Sequence, residues 1–331
     1  MDNLKGLATG IGSLPHQDAE SALDLIFKYV PGIPFWPQLP QKDKCEGMNV
    51  QFSENLPLGN RDNLEIFYEK VLAADVEYFK ISQDYASGLY AFKRRLEKEC
   101  CRDIKYIKIQ ITGPFTFSAA FNDKNGVALM HDKVFMQAVL KGLNFKARWQ
   151  IKTFRPFGKK IILFIDEPYL SCFGSAYTPL NRDDVIAGIS EFTEGLKADD
   201  VLLGVHCCGN TDWSIFTENH NIDLISFDAF GYQDKFVLYA DTLKGFLGRG
   251  GIICWGIVPT QQFSGEENTE ILIRKIRQGI GSLVNKGIDE ELIKSRLIIS
   301  PACGLGTFSV QKADKVFKLL LEVSEFIRKN F

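Results

Sequence analysis

Short runs dense in isoleucine, valine, leucine and aromatic residues recur along the whole chain, with longer stretches of helical periodicity between them. This alternation constrains the fold more than any other feature, because continuous apolar runs are what parallel strands covered on both faces require. About eight such runs are present: Leu7–Leu14, Ile33–Gln38, Tyr106–Gly113, Ile161–Asp166, Val201–Cys208, Asp223–Asp228, Ile252–Ile257 and Leu297–Pro301. Helices are expected over Ala19–Tyr29, Asn63–Ala74, Lys133–Phe154, Asp183–Leu196, Thr269–Asn285 and Ala313–Phe326, several opened by Asp or Asn as caps. Repeated βα units in this number predict an α/β fold, a single (β/α)8 TIM barrel with insertions in its loops. An open doubly wound sheet shares the same period. The stretch Leu39–Glu99 exceeds one crossover and is expected to form an insertion at the rim. No linker, repeat or low-complexity segment marks a boundary, so residues 1–331 are expected to form one domain.

Composition narrows the partners. The chain is 45% apolar over 331 residues, enough for a large core, and its 39 Lys and Arg nearly balance 41 Asp and Glu. Without a long run of like charge, neither a nucleic acid nor a membrane is an expected partner. The N-terminus shows no basic segment followed by an apolar one, and no stretch reaches the roughly 20 apolar residues that span a bilayer. A cytoplasmic location is therefore expected, with the eight cysteines as reduced thiols rather than disulfide staples.

Nearly every expected strand ends in a polar residue. Ser13, Gln38, Thr112, Asp166, His206 with Cys208, Asp228 and Cys303 all stand at such ends, which in a barrel converge on the C-terminal face where active sites form. In VLLGVHCCGN, His206 and Cys208 lie two apart on a strand and share a face, while Cys207 faces the covering helices as a buried thiol. Cys303, in ISPACGLGT, follows another strand, and the glycines after it let the chain turn tightly. Two thiolates and an imidazole select Zn2+, and three protein ligands leave a fourth position for a substrate. Asp228 is a candidate for that position and equally a candidate cap of the next helix. A His-X-Cys pair alone is more often a buried thiol near a core histidine than a metal site; Cys303 shifts the balance. Cys45, Cys100, Cys101, Cys172 and Cys254 have no paired spacing and read as structural. His16, His131 and His220 read as surface or cap residues, with His16 close to a strand end. Strand parity alone leaves open whether Asp166 or Glu167 faces the interior.

Five motifs, taken together, resemble the catalytic half of cobalamin-independent methionine synthase, within the superfamily that includes uroporphyrinogen decarboxylase. They are Ile11-Gly12-Ser13, Ile111-Thr112-Gly113-Pro114, Ile165-Asp166-Glu167-Pro168, His206-Cys207-Cys208 and Cys303-Gly304-Leu305. They fall in family order over almost the whole chain. The string HCCGNT also resembles the zinc motif of corrinoid-dependent methyltransferases that act on thiols, such as the coenzyme M branch. The resemblance implies that His206, Cys208 and Cys303 hold zinc, with Asp228 where the synthases have a glutamate ligand. It further implies that Ile11, Gly12 and Ser13 cradle the carboxylate of the acceptor amino acid and that Asp166, the inward residue of its pair, meets the ammonium group.

The departures from the family pattern concern the donor. Where the synthases contact folate with a tryptophan and a glutamate, this chain has Ala120 and Cys172; where they keep a proton-donating histidine, it has Val258. A folate leaving group needs an acid, whereas a corrinoid leaves as stable cobalt(I). No amino-terminal companion barrel accompanies the motifs. The family contacts the amino group of homocysteine with a glutamate where this chain has Gln38, and a neutral amide there weakens the attraction or points to another thiol. The expectation is a zinc-dependent methyltransferase with Asp166 as its catalytic residue. It would methylate a homocysteine-like thiol, giving methionine, from methylcobalamin or a methylcorrinoid protein. The alternatives are a coenzyme M type thiol methyltransferase, a metal-free lyase resembling uroporphyrinogen decarboxylase, and a corrinoid- or thiol-binding module with structural zinc.

Overall fold

The computed structural model describes residues 4–98, 102–175, 178 and 180–331, so Cys100 and Cys101 lie outside the described residues. Seven strands are regular among these residues: β1 (Leu7–Ala8), β2 (Tyr106–Thr112), β3 (Lys160–Asp166), β4 (Val201–Cys207), β5 (Leu224–Phe227), β6 (Ile252–Val258) and β7 (Leu297–Pro301). They form one all-parallel sheet in the order β1-β7-β6-β5-β4-β3-β2. The helices expected between them are present, among them Ala19–Tyr29, Leu64–Leu72, Lys133–Phe154, Arg182–Thr193, Thr269–Val284 and Val310–Asn330. Side chains cap several of them, as Asp132 does for Val134 N–H and Ser309 for Lys312 N–H.

The eighth expected strand, Ile33–Gln38, is not a regular one. It makes one parallel bridge to each sheet edge, Gln38 with Ser13 and Phe35 with Lys108. Pro34 and Pro37 explain this, since neither has an N–H to give to a ladder. The segment still spans the two edges: Lys108 N–H donates to Pro34 O at 2.9 Å, and Leu14 N–H donates to Gln38 O at 2.9 Å. The expected first strand shortens for a related reason. Gln38 N–H donates to Gly12 O at 3.0 Å, so residues 12–14 turn from β7 toward this segment. The architecture is thus a curled, seven-stranded, TIM-like α/β fold.

Parity along the strands divides two cores. Ile107, Ile109, Ile111, Ile161, Leu163, Ile165, Val201, Leu203, Val205 and Cys207 belong to the large core under the helices. Ile162, Phe164, Leu224, Ile252, Cys254 and Ile298 fill the inside of the curled sheet. The inner face of β2 is polar instead: Lys108, Gln110 and Thr112 are all fully buried. Lys108 Nζ donates to Ile11 O at 2.6 Å and to Gln110 Oε1 at 3.0 Å, and Gln110 Nε2 donates to Trp36 O at 2.8 Å. Burial lowers the Lys108 ammonium to about 7, with Asp166 drawing it back upward. The expected insertion carries 3-10 turns and the helices Leu64–Leu72 and Ser87–Lys98. Its Thr112 contact (Oγ1 to Met48 O, 2.6 Å) and its Gln41 contacts (Nε2 to Gly306 O, 2.7 Å, and to Phe308 O, 2.9 Å) tie it to two strand ends. No helix among the described residues is long and apolar enough to cross a membrane.

Candidate metal centre and active site

His206 and Cys208 emerge at the end of β4 on the inner face, and Cys303 lies in the turn after β7. The ligand atoms of His206, Cys208 and Cys303 lie within 4.8 Å of one another. Tetrahedral zinc, with bonds of about 2.0–2.3 Å, needs ligand separations of roughly 3.3–3.8 Å, which small side-chain adjustments supply. His206 Nδ1 sits 2.9 Å from Ser226 Oγ, which orients the ring, while its Nε2 is buried with no hydrogen-bond partner. The two thiols lie in hydrogen-bond contact: Cys208 is held well below the usual thiol range by the Cys303 thiol first and by His206, and Cys303 is correspondingly raised. Two cysteine sulfurs beside an imidazole nitrogen that no protein group engages are a donor set suited to zinc. Cys207 behaves as expected, buried in the outer core with its thiol pushed up to about 12 by burial.

The turn after β7 is shaped by a close approach. Leu305 N–H donates to Ser13 O at 2.8 Å and Gly306 N–H to Ser13 Oγ at 3.3 Å. A Cβ on Gly304 would stand 2.1 Å from Ser13 Oγ, so any larger residue there would have to displace that hydroxyl.

These groups wall a cavity of about 620 Å³, shared by Ile11, Ser13, Gln38, Asp166, His206, Cys208 and Cys303. The structure therefore brings together seven of the residues that the sequence pointed to. Asp166 and Glu167 divide by parity. Asp166, with Ile162 and Phe164, faces inward; its Oδ1 is buried and unpartnered, and burial raises its carboxyl to about 6 against the pull of His206 and Lys108. Glu167 turns to the helix Pro114–Ala120, where its carboxylate accepts from Phe115 N–H (2.9 Å), Thr116 N–H (2.8 Å) and Thr116 Oγ1 (2.7 Å). Those contacts satisfy donors at a helix start, a structural task.

Other expected residues sit elsewhere. Asp228 caps the helix Ala229–Phe236, its Oδ1 accepting from Gly231 N–H at 2.7 Å, and it is not one of the three clustered ligands among the described residues. Gly12 stands beside the Gln38 amide, whose Nε2 donates to Gln51 Oε1 at 2.8 Å. His16 is buried, not a surface residue, while His131 and His220 are exposed. Ala120, Cys172 and Val258 do not line the cavity. A second, more polar cavity of about 830 Å³ shares Cys208, Pro168 and Gln261 with the first and adds Tyr232, Lys235 and Tyr239.

The sequence reading missed Glu46, which lines the first cavity from the insertion. It also passed over Lys108, although Lys108, Gln110 and Thr112 alternating with isoleucines is a period-two signal of a polar inner face.

No family model and no curated protein matches the chain. Among solved structures it is similar to a B12-independent methionine synthase from Shewanella sp. W3-18-1, in complex with selenomethionine, at 22% identity and a TM-score of 0.47. That alignment covers 67% of this chain and 62% of the other, so the chain spans less than two thirds of that protein. A GH138 enzyme targeting pectin rhamnogalacturonan II aligns at 11% identity and a TM-score of 0.32, covering 99% of this chain and 40% of the other. Neither likeness bears on function. The chemistry of the site does.

Proposed function

We propose that residues 1–331 form a single catalytic barrel and act as a cytoplasmic, zinc-dependent methyltransferase with a homocysteine-like thiol as acceptor and a methylcorrinoid, rather than methylfolate, as donor. One observation carries this reading: the convergence of His206, Cys208 and Cys303 on a cavity that also presents Asp166 and the Ile11–Ser13 segment. Bound zinc would acidify an incoming thiol so that it attacks as thiolate at neutral pH.

The rest falls to the protein. His206, Cys208 and Cys303 would hold the metal, with the Ser226 contact keeping the ring turned so that Nε2 faces it. Asp166, its Oδ1 free of partners, would take the acceptor's ammonium group, and the backbone at Ile11–Ser13 would hold its carboxylate. Lys108 fixes that backbone by grasping the Ile11 carbonyl from below. Asp228 keeps its helix-capping bond in this reading, which leaves the fourth metal position to the thiol. The second cavity, meeting the first at Cys208, offers the donor a separate approach.

The test uses purified, zinc-loaded protein with methylcobalamin and homocysteine, followed by assay for methionine. Turnover with methylfolate and none with methylcobalamin would remove the donor assignment. A zinc K-edge spectrum that gains no sulfur ligand on adding homocysteine would remove the acceptor chemistry.

A further inference from the structure

The register of the sheet sets a row of polar side chains across its inner face. His206 of β4 pairs with Ser226 of β5, and Ser226 pairs with Cys254 of β6. Two residues on, and so on the same face, Gly256 pairs with Ser300 of β7. All four polar side chains are buried, and they touch in order. His206 Nδ1 lies 2.9 Å from Ser226 Oγ, and the Ser226 hydroxyl bonds to the Cys254 sulfur. Cys254 Sγ lies 3.3 Å from Ser300 Oγ, which lies 2.9 Å from Pro301 O. Burial pushes the Cys254 thiol up to about 11, so it keeps its proton at neutral pH.

The far end of this chain decides where every proton sits. The Pro301 carbonyl can only accept, so the Ser300 hydroxyl donates to it and accepts from Cys254. Cys254 has one S–H, directed at Ser300, so its sulfur accepts from Ser226. Ser226 has one O–H, directed at Cys254, so its oxygen accepts from His206. The imidazole therefore carries its proton on Nδ1, and Nε2, which no protein group engages, keeps its lone pair. Without Cys254 the Ser226 hydroxyl would be free to donate to Nδ1 instead, which would leave the proton on Nε2.

We propose that Cys254 is a positioning residue for the metal centre: acting through Ser226, it holds His206 in the tautomer whose Nε2 can bind a metal. The proposal rests on the metal reading above and extends it to a thiol that does not line the cavity and that spacing alone marks as structural.

The experiment uses the full chain with 15N-labelled histidine, zinc-free and zinc-loaded, as wild type and three variants. Cys254→Val keeps bulk and loses both bonds, Cys254→Ser keeps both bonds and loses bulk, and Ser300→Ala removes the far link. In wild type the His206 ring, assigned by its absence from His206→Gln, should show its proton on Nδ1. Cys254→Val and Ser300→Ala should exchange that proton with solvent faster and bind zinc about two- to tenfold more weakly by chelator competition, the effect of one hydrogen bond. Cys254→Ser should stay close to wild type in both. Unchanged signals from His16, His131 and His220 show that each variant is folded. A packing role gives the reverse order, with Cys254→Val unaffected and Cys254→Ser impaired, and would overturn the proposal. A wild-type proton on Nε2 would do the same. Zinc uptake with a His206 proton indifferent to Cys254→Val and Ser300→Ala would remove the role of Cys254 and leave the metal reading intact. No zinc uptake, with an Nδ1 proton that still depends on Cys254, would remove the metal reading and leave Cys254 setting the tautomer.

Discussion

Lys146 and Lys108 are equally buried, and burial lowers both ammonium groups to about 7, but they differ in what they touch. Lys146, on the helix Lys133–Phe154, has no hydrogen-bond partner for Nζ, whereas Lys108 donates to Ile11 O and Gln110 Oε1. A folded-state value near 7 against 10.5 for the free side chain means that the unfolded chain binds the extra proton between those limits. The cost of burying Lys146 is therefore full below about pH 7 and fades as the pH rises toward 10.5. At about 1.4 kcal/mol per pH unit, that cost is on the order of 4–5 kcal/mol at its maximum. Methionine matches the shape of lysine and carries no charge, so Lys146→Met should raise stability at pH 7 by a few kcal/mol and flatten part of the climb from pH 7 to 10. Lys108→Met removes the same cost but orphans two buried acceptors at about 1–3 kcal/mol each, so its net effect on stability should be near zero. Urea unfolding of wild type and both variants at pH 7, 8, 9 and 10 measures this directly. A Lys146→Met protein no more stable than wild type at pH 7, with an unchanged pH slope, would refute the reasoning.

Ser226→Ala should leave the fold intact and lower zinc affinity by about 10- to 100-fold, the usual cost of losing the partner that orients a ligating histidine; a competition titration with a chromogenic chelator reads it. Cys207→Ser should retain one zinc per chain by elemental analysis, whereas Cys208→Ser and Cys303→Ser should each lose most of it, because Cys207 faces the outer core. Gly304→Ala should lower zinc occupancy by forcing a Cβ to within 2.1 Å of Ser13 Oγ, and Ser13→Ala in the same chain should restore part of it, since the clash is with that hydroxyl.

What could be read from the sequence followed from periodicity. The runs that became β2 to β7 kept their places to within a residue or two, and parity placed His206 and Cys208 together and set Cys207 apart. Parity could not orient Asp166 and Glu167, because strand β3 ends there; the inward row Ile162, Phe164, Asp166 emerges only once the sheet curls and separates two cores. The run Ile33–Gln38 has strand-like composition, but two missing N–H groups leave it with bridges rather than a ladder. Glu46 had no periodic signal, since it lies in a 3-10 turn whose importance comes from where the insertion folds back. Asp228 could be read as a ligand or a cap, and its bond from Gly231 N–H to Oδ1 shows that it caps the helix.

The pairing of β1 with β7 has a consequence for assembly. Leu7 pairs with Ile298, and Ser13 meets the turn that carries Cys303, so the two ends of the chain join at the site itself. Strands β2 to β7 lie side by side in chain order, each pairing with its neighbour in sequence, while β1 pairs with the last strand. A chain whose β7 has not yet docked has His206 and Cys208 in hand but not Cys303. If the centre takes zinc as proposed, its capture would require the first and last strands to be paired, and a bound ion would tie those two strands together.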